Sequence, residues 1–194
     1  MLVAGVDSST QSTKVLLCEA EDGTIVARAS APHPNGTEVD PLAWRYALQE
    51  AGEDLLSRAD AIGVAGQQHG MVVLDSSAEV IRPALLWNDL RSAAAASALV
   101  EERGPRWWAE RTGSVPNASF TVTKLRWLAE HEPGIAARVS RVLLPHDFLT
   151  WLLIAGPRSA NEPVTDRGDA SGTGYFSPAD GAWQIGRASC RERV

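Results

Sequence analysis

Asp7 closes the apolar run Leu2-Val-Ala-Gly-Val6 and leads into Ser8-Ser9-Thr10-Gln11-Ser12-Thr13, after which Lys14 opens a second apolar run, Val15-Leu-Leu-Cys18. A carboxylate at a strand end, beside a turn crowded with amides and hydroxyls, can hold a metal ion and the phosphates that the ion bridges. Magnesium typically takes one or two carboxylates plus phosphate oxygens, and consecutive turn amides form anion-binding concavities. The same residues also read as an ordinary hairpin, because Asp, Ser and Thr favour turns for local reasons. A second polar cluster, Gly66-Gln67-Gln68-His69-Gly70, separates two short apolar runs at 61–65 and 71–74.

The elements that must position these residues follow from apolar spacing and turn chemistry. Strands are expected at 2–6, 15–20 and 24–29, the last two joined by the hairpin loop Glu21-Asp22-Gly23, which makes an antiparallel three-strand meander. Asp40 is expected as a helix N-cap with Pro41 at the first helical position. Trp44, Ala47, Leu48, Ala51 and Leu55 then form one apolar stripe at helical spacing. Segment 61–65 reads as a short buried strand and 71–74 as another. An Ala-rich helix at 92–102 ends at Arg103-Gly104, and a short helix at 105–111 carries Trp107 and Trp108. A further helix follows Ser119 or Thr121, with Val122, Leu125 and Leu128 on one face, and stops at Pro133. A strand at 141–144 and a buried helix at 147–155 come next, the helix capped by Asp147 and closed by Gly156.

The stretch 157–184 reads as loop-rich, with Asp166 and Asp169 as solvated charge and a place at the border of the cleft as the alternative. Trp44, Trp107, Trp108, Trp127 and Trp151 fall on helix faces and read as packing. Trp87 reads as core, with a ligand-facing wall as the alternative, and Asp89 as a helix cap. A meander followed by alternating helices and strands defines an α/β domain with a mixed sheet flanked by helices. No Walker loop and no G-x-G-x-x-G follows a strand. A bound nucleotide would therefore have to take its phosphate cradle from the first hairpin.

Composition narrows the class. The 194 residues are 44% apolar and 22% charged, with a formal charge of −6, as in a globular domain with a real core. The 18 basic residues form no cluster along one face, which argues against a nucleic-acid partner. No apolar run approaches the ~20 residues that cross a bilayer, so no membrane partner is expected. The start lacks the charged region of a signal peptide. Two cysteines, Cys18 and Cys190, make no disulfide or zinc framework. A cytoplasmic location fits these features.

Six segments, in order, resemble the FGGY family of carbohydrate kinases, which have the actin-like, ribonuclease-H-like ATPase fold. They are the hairpin Asp7-Ser-Ser-Thr10-Gln-Ser-Thr-Lys14; Gly63-Val-Ala-Gly66-Gln67-Gln68-His69-Gly70; Arg82-Pro-Ala-Leu-Leu-Trp87-Asn88-Asp89-Leu-Arg91; Thr112-Gly113 through Phe120 with Lys124-Leu-Arg-Trp127-Leu; Leu144-Pro-His-Asp147-Phe-Leu; and Thr165-Asp166 through Asp169-Ala-Ser-Gly172-Thr173-Gly174. The second resembles the sugar-contact loop of the family's xylulokinases. The resemblance covers residues 1–184, which it identifies as the family's N-terminal, sugar-binding domain.

The resemblance implies ATP and Mg²⁺ as cofactors and phosphorylation of D-xylulose to D-xylulose 5-phosphate. It implies that Asp7 holds Mg²⁺ through water, that amides near Ser9 and Thr10 cup phosphate, and that Lys14 adds positive charge. It assigns sugar contact to Gln68 and His69. Glycerol kinases place an arginine–glutamate pair there, so this pair argues for a ketose. Ser119 and Phe120 belong to a segment that reaches the sugar pocket in relatives. It also allows a homodimer of the full-length protein. The family's base, an aspartate on a later Gly-Thr-x-Asp-Asn-like motif, has no counterpart here, since Gly172-Thr173-Gly174 runs on to Tyr175. Residues 185–194 resemble nothing in the family, and the C-terminal ATPase domain is not represented. The chain thus reads as the N-terminal half of a xylulokinase-like enzyme, inactive alone. The alternatives are a non-catalytic sugar-binding module, or an FGGY kinase for ribulose, rhamnulose, gluconate or glycerol.

Overall fold

A computed structural model of the chain describes residues 1–154 and 162–184. The meander is present as β1 (Leu2–Ser8), β2 (Ser12–Glu19) and β3 (Ile25–Pro32). Alternation explains its two faces. Val15 and Leu17 point inward while Lys14 and Leu16 are exposed, the period-2 pattern of a strand with one covered face. The covering element is α1 (Pro41–Leu56), capped by Asp40, whose carboxylate accepts from the Leu42 amide at 2.9 Å. Its stripe of Trp44, Ala47, Leu48, Ala51 and Leu55 is buried against Val6, Val15 and Ala31.

The sheet runs β3-β2-β1-β5, where β5 (Ala61–Gly66) lies parallel to β1. This strand was expected to be buried, but Ala61, Ile62, Gly63 and Ala65 are exposed. It is the edge of the sheet, and an uninterrupted apolar run cannot by itself distinguish a buried strand from an edge one. Because β1 and β5 are parallel, Ser8 pairs with Gly66 and both following loops leave from the same end of the sheet. Crevices at the carboxyl ends of parallel strands are where ligands bind in open α/β sheets.

Two short ladders and a helical layer complete the described chain. In the ladders, β4 (Glu38–Val39) pairs with β7 (Ala84–Leu85), and β6 (Val72–Leu74) with β8 (Arg141–Leu143), both antiparallel. The helices α2 (Ala93–Arg103), α3 (Pro105–Thr112) and α4 (Thr121–His131) match the apolar spacing, and the short α5 (Pro133–Ala136) was not expected from it. Trp108 and Val122 are buried with Leu99 in their core. Pro133 stops one helix and opens the next, as expected of a residue tolerated only in a first turn. In α6 (Pro145–Leu153) Asp147 is the third helical residue rather than the cap, and its Oδ2 accepts from the Leu144 amide at 3.1 Å. Gly156, expected to close this helix, lies outside the described residues. The stretch expected as loop holds α7 (Arg167–Ser171) and the hairpin of β9 (Phe176–Ser177) and β10 (Ala182–Trp183). Among the described residues no helix is long and apolar enough to cross a membrane.

Candidate functional site

Asp7, Ser9 and Thr10 from the β1–β2 turn line one groove of about 410 Å³ together with Gly66, Gln67, Gln68, His69 and Trp87. The two polar clusters singled out in the sequence therefore face each other across a single opening. Their proximity follows from the parallel β1–β5 pairing, which the Gln67 amide extends by donating to the Ser8 carbonyl at 3.0 Å.

The turn side is built locally. The Ser9 amide and the Ser9 hydroxyl both donate to the Ser12 carbonyl, each at 3.1 Å. Ser9 is thus committed to the turn itself. Among the described residues, none accepts from the Thr10 or Gln11 amide, and these two are the donors open to an anion. Lys14 sits opposite Asp7 in the ladder, its Nζ 3.6 Å from Asp7 Oδ2, and both side chains are more than half exposed. An exposed pair of this kind contributes little to stability, so it can exchange partners at small cost. Behind the turn, His33 Nε2 lies 2.8 Å from the buried Thr13 hydroxyl. Burial holds the His33 pKa below its ordinary value, against the opposing effect of the Ser9 and Thr10 backbone.

The corner side is assembled from distant segments. His69 adopts φ = 65°, the left-handed region that a non-glycine residue occupies only when its surroundings impose it. Its Nδ1 lies 2.8 Å from the Gly172 carbonyl, and Phe120 stacks on the ring with centroids 4.9 Å apart. The Thr121 hydroxyl donates to the His69 carbonyl at 3.2 Å. A carbonyl can only accept, so Nδ1 carries the hydrogen and Nε2 is left as an acceptor. Burial lowers the His69 pKa, more than the Gly172 contact raises it, which keeps the ring neutral near pH 7.

Gly172 has no freedom to be otherwise: a Cβ there would stand 2.6 Å from the His69 ring. Gly66 is likewise demanded by the close approach of α6, since its Cβ would meet the His146 amide at 2.8 Å. Both glycines belong to the segments on which the family resemblance rests.

Several residues take places that sequence reasoning missed. Gln67 is buried on the groove wall, and among the described residues neither its Oε1 nor its Nε2 has a hydrogen-bond partner. The neighbouring Gln68, singled out in the sequence, is exposed at the rim. Trp87 is not core but 44% exposed, and its indole N–H donates to the Thr10 hydroxyl at 2.9 Å, bracing the turn from across the groove. Asp89 does not cap α2; it accepts from the Thr37 hydroxyl and from the Arg91 amide and guanidinium.

Lys124 is fully buried and donates to the Ala118 and Ser119 carbonyls, which orders the segment leading into Phe120. Burial lowers its pKa to about 8, against the pull of Asp89. Asp169 is buried rather than solvated, and burial pushes its carboxyl up to about 6 despite His146 nearby.

The comparisons with known proteins agree with this architecture. The model of the FGGY family of carbohydrate kinases, N-terminal domain, matches residues 2–188. The chain belongs to the FGGY family of carbohydrate kinases, and its mixed α/β fold is that of the family's actin-like ATPase domain. It is 52% identical to the xylulose kinase of Streptomyces coelicolor over 191 residues, covering 94% of this chain and 38% of that protein. Against the xylulose kinase of Escherichia coli it is 37% identical over 190 residues, 92% of this chain and 37% of that one. The crystal structure of xylulose kinase from Bifidobacterium adolescentis superposes with a TM-score of 0.90 at 43% identity, covering 95% of this chain and 41% of that one. The chain thus spans about 38% of the length of the first of these relatives.

Proposed function

We propose that this chain forms the sugar- and phosphate-binding portion of an ATP-dependent kinase that converts D-xylulose to D-xylulose 5-phosphate. The observation that carries the proposal is the single groove shared by the Asp7–Thr10 turn and the Gln67–His69 corner. Phosphoryl transfer depends on positioning and charge neutralisation more than on covalent chemistry by the protein. The two sides of this groove divide those tasks.

On the turn side, the exposed Asp7 carboxylate suits a hydrated Mg²⁺, and the open Thr10 and Gln11 amides suit phosphate oxygens. The donor set fits a magnesium–triphosphate group, which supplies the phosphoryl group to be transferred. Lys14, already beside Asp7, offsets negative charge there. On the corner side, neutral His69 presents Nε2 as an acceptor for a sugar hydroxyl. Gln67 presents one unsatisfied acceptor and unsatisfied donors, and Gln68 completes the rim. A few fixed polar groups in a concave wall are what orient a neutral polyol. The aspartate base that the family resemblance implies lies on a motif these 194 residues do not contain, so the chain as it stands is expected to bind sugar without appreciable turnover.

Calorimetric titration of the chain with D-xylulose, with glycerol as the control, tests the sugar reading. D-xylulose is expected to bind at least about tenfold more tightly than glycerol, and His69→Ala to weaken it by ~1–3 kcal/mol. Equal affinity for both polyols, or an unaltered His69→Ala variant, would rule the assignment out. Repeating the titration with Mg-ATP separates a kinase portion from a non-catalytic sugar module: the first predicts that Asp7→Ala abolishes nucleotide binding, the second that no nucleotide binds at all.

A further inference from the structure

Close against Gly66, α6 and α7 bring together a histidine and three carboxylates. His146 Nδ1 lies 3.0 Å from Asp147 Oδ1, and the other oxygen of Asp147 is held by the Leu144 amide. Donation from Nδ1 to a fixed carboxylate is the usual device that orients a metal-binding imidazole and frees its Nε2. Nε2 faces Asp166, with Oδ2 3.8 Å away, and the Thr150 hydroxyl stands at 3.5 Å. Asp166 uses its other oxygen to cap α7, accepting from the Asp169 amide at 2.8 Å.

Asp169 completes the group, its Oδ2 3.5 Å from His146 Nδ1. Its side chain is only 9% exposed, and among the described residues Oδ1 is buried without any hydrogen-bond partner. An orphaned carboxylate oxygen of this kind is costly unless something cationic or protic faces it. A single imidazolium answers one negative charge among three carboxylates, and its two N–H groups leave Asp169 Oδ1 unmatched. One donor atom from each of His146, Asp166 and Asp169 lies within 4.8 Å of the other two.

We propose that His146, Asp166 and Asp169 form a binding site for a divalent transition cation, of the Zn²⁺ or Mn²⁺ type. One imidazole nitrogen with two carboxylates suits these ions better than it suits Mg²⁺, which favours all-oxygen surroundings. The exposed Asp166 side chain has room to swing the last distance inward. The ion joins the first turn of α6 to α7, and α7 runs directly into Gly172, whose carbonyl holds His69. The cation therefore ties α6 to the segment that holds His69.

The test is titration of the chelator-treated chain with MnCl₂ alone, followed by electron paramagnetic resonance, and with ZnCl₂ by calorimetry, no nucleotide being present. One ion per chain is expected, with at least about tenfold weaker binding in Asp169→Asn. Asp166→Asn keeps the helix-capping acceptor and tests the same site without disturbing a buried group; it is expected to weaken binding several-fold. Absence of saturable binding would overturn the proposal. So would binding that survives both substitutions, or binding that instead disappears in Asp7→Asn.

Discussion

The two walls of the groove are made in opposite ways. The turn wall is closed by bonds three residues apart in sequence, between Ser9 and Ser12, and it presents an exposed, weakly held Asp7–Lys14 pair. The corner wall depends on partners 103 and 52 residues away, Gly172 and Thr121, and it holds His69 in a backbone conformation that it would not choose alone. In the proposed function the turn wall follows a triphosphate through transfer, which benefits from exchangeable contacts. The same proposal has the corner wall recognise one arrangement of hydroxyls, which benefits from rigidity. The corner is therefore vulnerable to packing changes at a distance, and the turn mainly to changes in itself and at Trp87, which bonds Thr10 from 77 residues away.

The sharpest way to break this contrast is Gly172→Ala. The added methyl falls 2.6 Å from the His69 ring, so either the ring or α7 must move. Overpacking of this kind costs about 1–3 kcal/mol, and D-xylulose affinity measured by calorimetry is expected to drop by at least about tenfold. Unchanged affinity would show that His69 does not need the Gly172 carbonyl. His69→Phe comes next. It keeps the ring that stacks on Phe120 but removes the Nδ1 bond and the Nε2 acceptor, and about 1–2 kcal/mol of sugar affinity should go with them.

The lowered His69 pKa sets a smaller effect with a definite sign. Above the ordinary value of 6.5 the ring is neutral whether the chain is folded or not, and its contribution is intact. As pH falls below 6.5 the unfolded chain takes up the proton first, so stability is lost; once the folded ring is also protonated, Nε2 ceases to accept. Sugar affinity measured from about pH 5 to about pH 8 is thus expected to be flat at the upper end and to fall at the lower. The His69→Phe variant should show no such fall. The smallest effect is expected at Ser9→Gly, which removes one hydroxyl bond to Ser12 and should cost less than about 1 kcal/mol of stability in denaturant titration. It should leave sugar affinity untouched.

What was legible in the sequence follows the same division. The Asp40-Pro41 helix start, the apolar strand opening at Val15 and the Asp7 turn are local patterns, and each appears where spacing and turn chemistry place it. The turn itself could be read because Ser9 and Ser12, which close it, are sequence neighbours. The bond of Trp87 to Thr10 could not: it spans 77 residues and exists only once the segment after β7 is brought to the turn. Gln67 and Gln68 are chemically identical, and only the geometry of the corner turns one inward and the other out. Asp169 sits in a polar, Gly-rich stretch that composition marks as solvated, yet α6 covers it. The edge position of β5 was hidden because small apolar residues suit a buried strand and an open edge equally well.

The most direct test of the shared groove uses the Trp87 indole N–H, which touches the turn wall while its side chain lines the same opening as His69. In a nitrogen-15 NMR titration of the chain with D-xylulose, the Gln67 side-chain amide and the Trp87 indole signals are expected to shift together, with one saturation curve. Sugar-induced shifts confined to residues away from this groove, or a Trp87 signal that stays still while Gln67 saturates, would contradict the account.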